Sequence, residues 1–234
     1  AHNTALSIVD CVTSLGACNV PVDEWKLDIV ASGSQKGYMI PPGLSFISMS
    51  KKAWEAVEKS NLPKFYLNLK SYRKSLLSNS NPYTPAVNLV FALDEALKMM
   101  REEGLDNIFR RHNKHKLAMS NAVKALNLKL FADEKYLSPS ITAIKTEGID
   151  AEEFRKKIKS SFNILLAGGQ DHLKGKIFRV GHLGYVNDTD IITVVSAISN
   201  TLLGLGKITA QQAGEALVEA VSYTHLRAHE TQPY

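Results

Sequence analysis

The chain has 234 residues, 44% of them hydrophobic and 22% charged, with 14 glycines and 8 prolines. That balance belongs to a soluble globular protein with apolar material for one large or two small cores, and it excludes a disordered, low-complexity or fibrous chain. The formal charge of +5 admits an acidic partner, while two cysteines, Cys11 and Cys18, are too few for a disulfide framework or a four-ligand zinc site and suit a reducing compartment such as the cytoplasm.

Residues 6–9 form a short apolar run ending on Asp10, which predicts a strand beginning almost at once and a segment preceding it. A second strand is expected at 27–31, running into Ser32-Gly33-Ser34-Gln35-Lys36-Gly37. Pro41-Pro42-Gly43 breaks the chain, and alternation over 44–49 predicts a third strand. From Lys51 the period turns helical through Ala53, Trp54 and Val57, whereas 65–77 is mixed. Asn79-Ser80-Asn81-Pro82-Tyr83-Thr84-Pro85 must be a loop, because no helix crosses its two prolines. Val90, Leu93, Leu97 and Met100 then mark an amphipathic helix closed by Gly104, and a second long helix follows over 105–126.

That second helix carries the densest basic cluster: Arg110, Arg111, Lys114 and Lys116 with His112 and His115. Ile108, Phe109, Met119, Ala122, Val123 and Leu126 recur at helical spacing beside them, so the basic groups, both histidines included, read as a solvated face and not as a nucleic-acid site. Further on, strands are expected at 128–131, 140–145, 163–167 and 176–180. Phe154, Ile158 and Phe162 line one helix face, and helices are expected over 188–203 and through the alanine-rich stretch after it. Residues 1–104 therefore read as part of one domain and 105–221 as a smaller α+β domain. Residues 222–234 have no periodicity and resemble a translated sequencing adaptor, so they are expected to be foreign to the fold. No leader is expected at the start, and no apolar run approaches the roughly 18 residues of a membrane span.

Asp10 at one strand end and Lys36 just past another are the informative pair, since ligands meet α/β sheets at strand ends. Pyridoxal 5'-phosphate chemistry needs both groups: an amine to carry the cofactor and a carboxylate to keep its ring nitrogen protonated, because the pyridinium is the electron sink. Taken alone the pair is weak, since many α/β proteins place an acid and a lysine in loops. The run Ser-Gly-Ser-Gln-Lys36-Gly followed by Pro41-Pro42-Gly43 resembles the lysine segment of class V aminotransferases, in particular the alanine–glyoxylate and serine–glyoxylate branch. Val9-Asp10-Cys11-Val12-Thr13-Ser14-Leu15-Gly16, Asn81-Pro82-Tyr83-Thr84-Pro85 and Phe178-Arg179-Val180-Gly181-His182-Leu183-Gly184 are similar to three further segments in the same order, so the resemblance covers about residues 4 to 204.

The resemblance implies a type I pyridoxal-phosphate transferase fold, α/β, with part of the large domain as a mixed sheet with helices and a C-terminal α+β small domain. It implies Lys36 as Schiff-base lysine and proton shuttle, Asp10 on the ring nitrogen, and Val12 against the ring face. Gln35 and, from a neighbouring subunit, Thr84 would bind the phosphate, and Arg179 would clamp the substrate carboxylate. The expected reaction is transamination between a small amino acid and a 2-oxo acid, in a homodimer, without metal, membrane or nucleic acid. His172 and His182 lack carboxylate or cysteine companions and read as loop or core residues. The family's glycine-rich phosphate cup and ring-stacking aromatic residue precede the aspartate segment, so the site in this stretch alone is incomplete and the isolated chain is expected to be inactive. Gln35 before the lysine, and no cysteine after Cys18, separate the chain from cysteine desulfurases. A phosphoserine aminotransferase is nearer, but the Pro-Pro-Gly turn and the Arg179 segment favour the glyoxylate branch. A non-catalytic subunit that keeps the fold is the contrasting expectation.

Overall fold

The computed structural model describes residues 5–223. The chain divides into two compact units, one running to Leu15 and resuming over Asn19–Glu102, the other formed by Gly16–Cys18 with the residues from Glu103 onward.

In the first unit β1 (Ile8–Asp10), β2 (Ile29–Gly33) and β3 (Ser45–Met49) form a sheet in that order. The β1–β2 pair is parallel with Asp10 opposite Ala31, and β2–β3 is antiparallel with Gly33 opposite Ser45. Side chains alternate across a strand, and Val30 and Ser32 on one face of β2 are buried with Cys11. Ile8 lies 70% exposed. Asp28, just before β2, joins three segments: it accepts from the Ser7 amide at 3.0 Å and the Ser50 hydroxyl at 2.8 Å, and pairs with Lys52 at 3.3 Å. The Ser7 amide and the Ser50 hydroxyl pull its carboxyl down to about 2. Ser50 in turn caps α1 (Lys51–Lys59) by accepting from the Ala53 amide.

The mixed stretch 65–77 resolves into a turn, closed by the Asn68 amide on the Phe65 carbonyl at 3.2 Å, and α2 (Leu69–Leu77), which starts where the Asn68 side chain caps Lys70. Helix α3 (Val87–Glu103) follows the double-proline loop.

The second unit holds α4 (Leu105–Ala125), β4 (Lys129–Leu130), β5 (Ile141–Lys145), α5 (Ala151–Phe162), β6 (Ala167–Gly168), β7 (Ile177–Gly181), α6 (Asp188–Gly204) and α7 (Ala210–Val221). Its antiparallel sheet runs β4-β5-β7-β6. Helix α5 packs on β7 through Phe154 and Phe178, whose ring centroids stand 5.2 Å apart and whose burial contributes about 1.5–3 kcal/mol each. Met119, Val123, Ile144, Val195 and Ile198 complete the centre of the core. Helix α7 lies against α4 with its small residues Ala216 and Ala220 wholly buried, and begins in a capping box between Thr209 and Gln212.

Two expectations are corrected here. The buried face of α5 is Ala151, Phe154 and Ile158, while Phe162 is 40% exposed, because successive steps of four rotate away from a stripe that turns every 3.6 residues. The strand expected at 163–167 is paired only at Ala167–Gly168: Asn163 ends α5 in the left-handed conformation (φ 56), and Arg155 Nε takes the Leu166 carbonyl at 2.8 Å. Ser222 ends α7 and Tyr223 rests on the core, whereas 224–234, the bulk of the suspected foreign tail, lie outside the described residues. Among the described residues no helix is long and apolar enough to cross a membrane.

Candidate active site

Because β1 and β2 are parallel neighbours, their C-terminal ends share one edge of the sheet. Asp10 is the last residue of β1, exposed, and its Oδ1 accepts from the Val12 amide at 2.8 Å, which turns the chain away from the sheet there. Past Gly33 the chain enters loop 34–44 and returns as β3, so Lys36 rides on a wide hairpin loop at that same edge. Lys36 is half-buried, and its amine has no hydrogen bond or ion pair among the described residues. Gln35 is exposed and folds back over Gly33, where an added Cβ would come within 3.3 Å of Oε1. Val12 is half-buried. An acid, an amine, an amide and an apolar contact therefore gather at one sheet edge.

The loop is firmly built. Ser34, wholly buried, donates through Oγ to the Pro41 carbonyl at 2.9 Å and accepts from the Leu44 amide at 3.2 Å. Its backbone also pairs with the Leu44 carbonyl and the Ile40 amide. Gly43 has φ 141, and a Cβ there would stand 2.6 Å from Leu89 Cδ1. Thr84 is exposed on the loop between α2 and α3 and makes no hydrogen bond among the described residues. Its neighbour Tyr83 donates to the Phe65 carbonyl at 3.0 Å and stacks obliquely on Tyr66, with centroids 4.9 Å apart.

In the second unit Arg179 sits at the middle of β7 between Ala143 of β5 and Ala167 of β6. Two small neighbours leave room for its half-buried side chain. Nε donates to the Gly168 carbonyl at 2.9 Å, and the terminal nitrogens have no partner among the described residues, so the fork is oriented and still open to a carboxylate.

The histidines of α4 are not on the solvated face: His112 and His115 are wholly buried. Their positions fall on the stripe Ile108, His112, His115, Met119, Ala122, Leu126, whose steps of four and three trace one helix face. That spacing is the sequence signal for their burial, since a neutral imidazole belongs with the apolar stripe and not with the basic residues. His115 meets Asp188 at 2.8 Å, and beside it Arg111 grips Glu103 through Nε and Nη2 (2.6 and 2.9 Å) while Nη1 donates to the carbonyls of Gly184 and Val186, both at 2.9 Å. His182, the residue after β7, is also buried and reaches Thr142 at 2.9 Å, as a core histidine does.

The model of the family described as aminotransferase class-V matches residues 1–184 of the chain. The chain belongs to the class-V aminotransferases. A serine–glyoxylate aminotransferase of Methylorubrum extorquens is 36% identical over 95% of the chain and 57% of its own length. A protein of a Synechococcus species named as the small subunit of a soluble hydrogenase is 58% identical over 88% of the chain and 54% of its own length. Among solved structures, the ureidoglycine–glyoxylate aminotransferase of Bacillus subtilis superposes with a TM-score of 0.86 at 32% identity, covering 94% of this chain and 57% of that one. The chain thus spans about half the length of these relatives and holds the corresponding part of the type I transferase fold: a partial large domain with a mixed sheet, and an α+β small domain.

Proposed function

We propose that the protein carrying this chain is a pyridoxal-phosphate-dependent transaminase that moves an amino group between a small amino acid, alanine or serine, and a 2-oxo acid such as glyoxylate or pyruvate. The observation that carries the reading is the placement of Asp10 at the end of β1 and of Lys36 in the loop that follows β2, the parallel neighbour of β1, the amine unpaired among the described residues. This donor set fits the cofactor, whose pyridinium, when bound, supplies an electron sink for the bond broken at the substrate's Cα.

Each residue has a task in that reading. The Asp10 carboxylate keeps the proton on the ring nitrogen. The Lys36 amine would hold the cofactor and would move the proton at the substrate's Cα as base and then acid. Gln35 and Thr84 hydrogen-bond the phosphate, Thr84 from the second subunit of a homodimer, and Val12 bears on the ring. The Arg179 fork pairs with the substrate carboxylate in a bidentate contact whose planar geometry lysine cannot reproduce. Glyoxylate as acceptor draws support from relatives named as serine–, aspartate– and ureidoglycine–glyoxylate aminotransferases.

The relatives named as hydrogenase subunits, two of them at 58% identity, favour a second reading: a subunit that keeps the fold and performs no transamination. One assay separates the two. The cofactor-loaded protein is offered alanine or serine with glyoxylate or pyruvate, and turnover that vanishes in Lys36→Ala supports the transaminase; a wild type that turns over neither donor supports the subunit.

A further inference from the structure

Loop 34–44 must hold a catalytic amine still while lacking regular structure, and two of its residues, Pro41 and Pro42, bring no backbone donor. One side chain adds to the backbone bonds that close it. Ser34 continues the β2–β3 ladder by one step, its amide donating to the Leu44 carbonyl at 3.1 Å, and its Oγ then does what a backbone group does elsewhere: it accepts from the Leu44 amide at 3.2 Å and donates to the Pro41 carbonyl at 2.9 Å. The Ser34 carbonyl receives the Ile40 amide at 3.3 Å, and the Lys36 carbonyl receives the Met39 amide at 2.9 Å within the same loop. Ser34 is 0% exposed, so water cannot replace what the hydroxyl gives.

We infer that Ser34 is a positioning residue for Lys36: its hydroxyl ties the far limb of the loop, at Pro41 and Leu44, to the limb that bears the lysine, and so fixes where the amine stands. This rests on the reading of Lys36 as the cofactor-bearing amine. Without the tie, the loop keeps its ends in the hairpin and the backbone bond from Ile40 to Ser34 but loses the two side-chain links to Pro41 and Leu44, and loop-closure entropy is recovered as motion of the segment between. Since small misplacements of reacting groups cost rate far more than affinity, the effect belongs in kcat and in the chemistry of the amine, with little in KM.

The test uses the full-length protein with Ser34→Ala and Ser34→Cys, the cysteine keeping the volume with a poor donor. Three readouts are taken: hydrogen exchange of the loop amides in the cofactor-free form and, in the cofactor-loaded form, the pH midpoint of the visible band of lysine-bound pyridoxal phosphate, and kcat against KM. We expect faster exchange at Leu44 and Ile40, a displaced midpoint, and kcat down about tenfold or more at near-constant KM in the alanine variant, with cysteine intermediate. If the alanine variant does not fold, the cysteine variant alone decides by the same three readouts. Wild-type exchange, midpoint and kcat in a folded variant would overturn the inference. A wild type with no band at Lys36, yet with exchange at Leu44 hastened by Ser34→Ala, would instead overturn the cofactor reading while leaving the loop tie standing.

Discussion

The amide of Gly184 donates to Nε2 of His112 at 3.1 Å, while Nδ1 of the same ring meets the carbonyl of Ile108 at 2.8 Å. One nitrogen must accept and the other donate, so the ring is neutral with its proton on Nδ1. A second proton would destroy the acceptor that Gly184 uses. Burial pushes the His112 pKa down to about 4, with Arg111 and His115 adding to the effect and the Ile108 carbonyl and Glu103 opposing it. His182, crowded by His115 and His112, is likewise driven by burial to about 4.

Stability should therefore depend on pH. The unfolded chain protonates these rings near 6.5 and the folded one near 4, so their share of the stability is intact above about 6.5 and is lost as pH falls toward 4. For a single such ring the loss reaches roughly 3 kcal/mol. Denaturant unfolding at several pH values between 7.5 and 4 checks it, and His112→Gln, which does not titrate, should flatten the dependence. A wild type as stable at pH 4 as at pH 7.5 would contradict the assignment.

Arg111→Lys keeps the charge and loses the fork. Lysine cannot serve Glu103 twice and the Gly184 and Val186 carbonyls at once, so some of those partly buried acceptors lose a donor. With the pair 20% and 27% exposed, the expected cost is about 2 kcal/mol after solvent screening. Thermal unfolding of the variant measures it, and an unchanged Tm would refute the clamp.

Gly43→Ala should destabilise the first unit by about 1–3 kcal/mol, because φ 141 is nearly closed to side chains and the new methyl meets Leu89. Leu89 is flexible at its tip, so Gly43→Ala with Leu89→Ala relieves the collision but not the backbone strain. The double variant should regain only the clash component of the alanine penalty. Full recovery in a double-variant stability cycle would show that φ at this position is not strained.

Much of this was readable in the sequence, and for physical reasons. The ends of α3 and α4 follow from Gly104, and β7 with α6 from apolar periodicity, because these elements bury a continuous face. Asp10 and Lys36 stand out as candidates by their motifs; that β1 and β2 are parallel neighbours does not follow from the sequence, since pairing is a long-range choice. The role of Ser34 is not legible in the sequence, because a serine beside glycine looks like any loop serine until its two partners, at Pro41 and Leu44, are folded back onto it. The histidines of α4 were misassigned because burial of a neutral imidazole depends on acceptors and donors supplied from residues 184 and 188, far along the chain.

Incubating the full-length protein with pyridoxal phosphate, reducing with borohydride and mapping the label by mass spectrometry shows whether Lys36 bears the cofactor. A stoichiometric pyridoxyl group on Lys36, lost in Lys36→Ala, is the expected result; stoichiometric label on another lysine instead, or no label in the wild type, would refute that role.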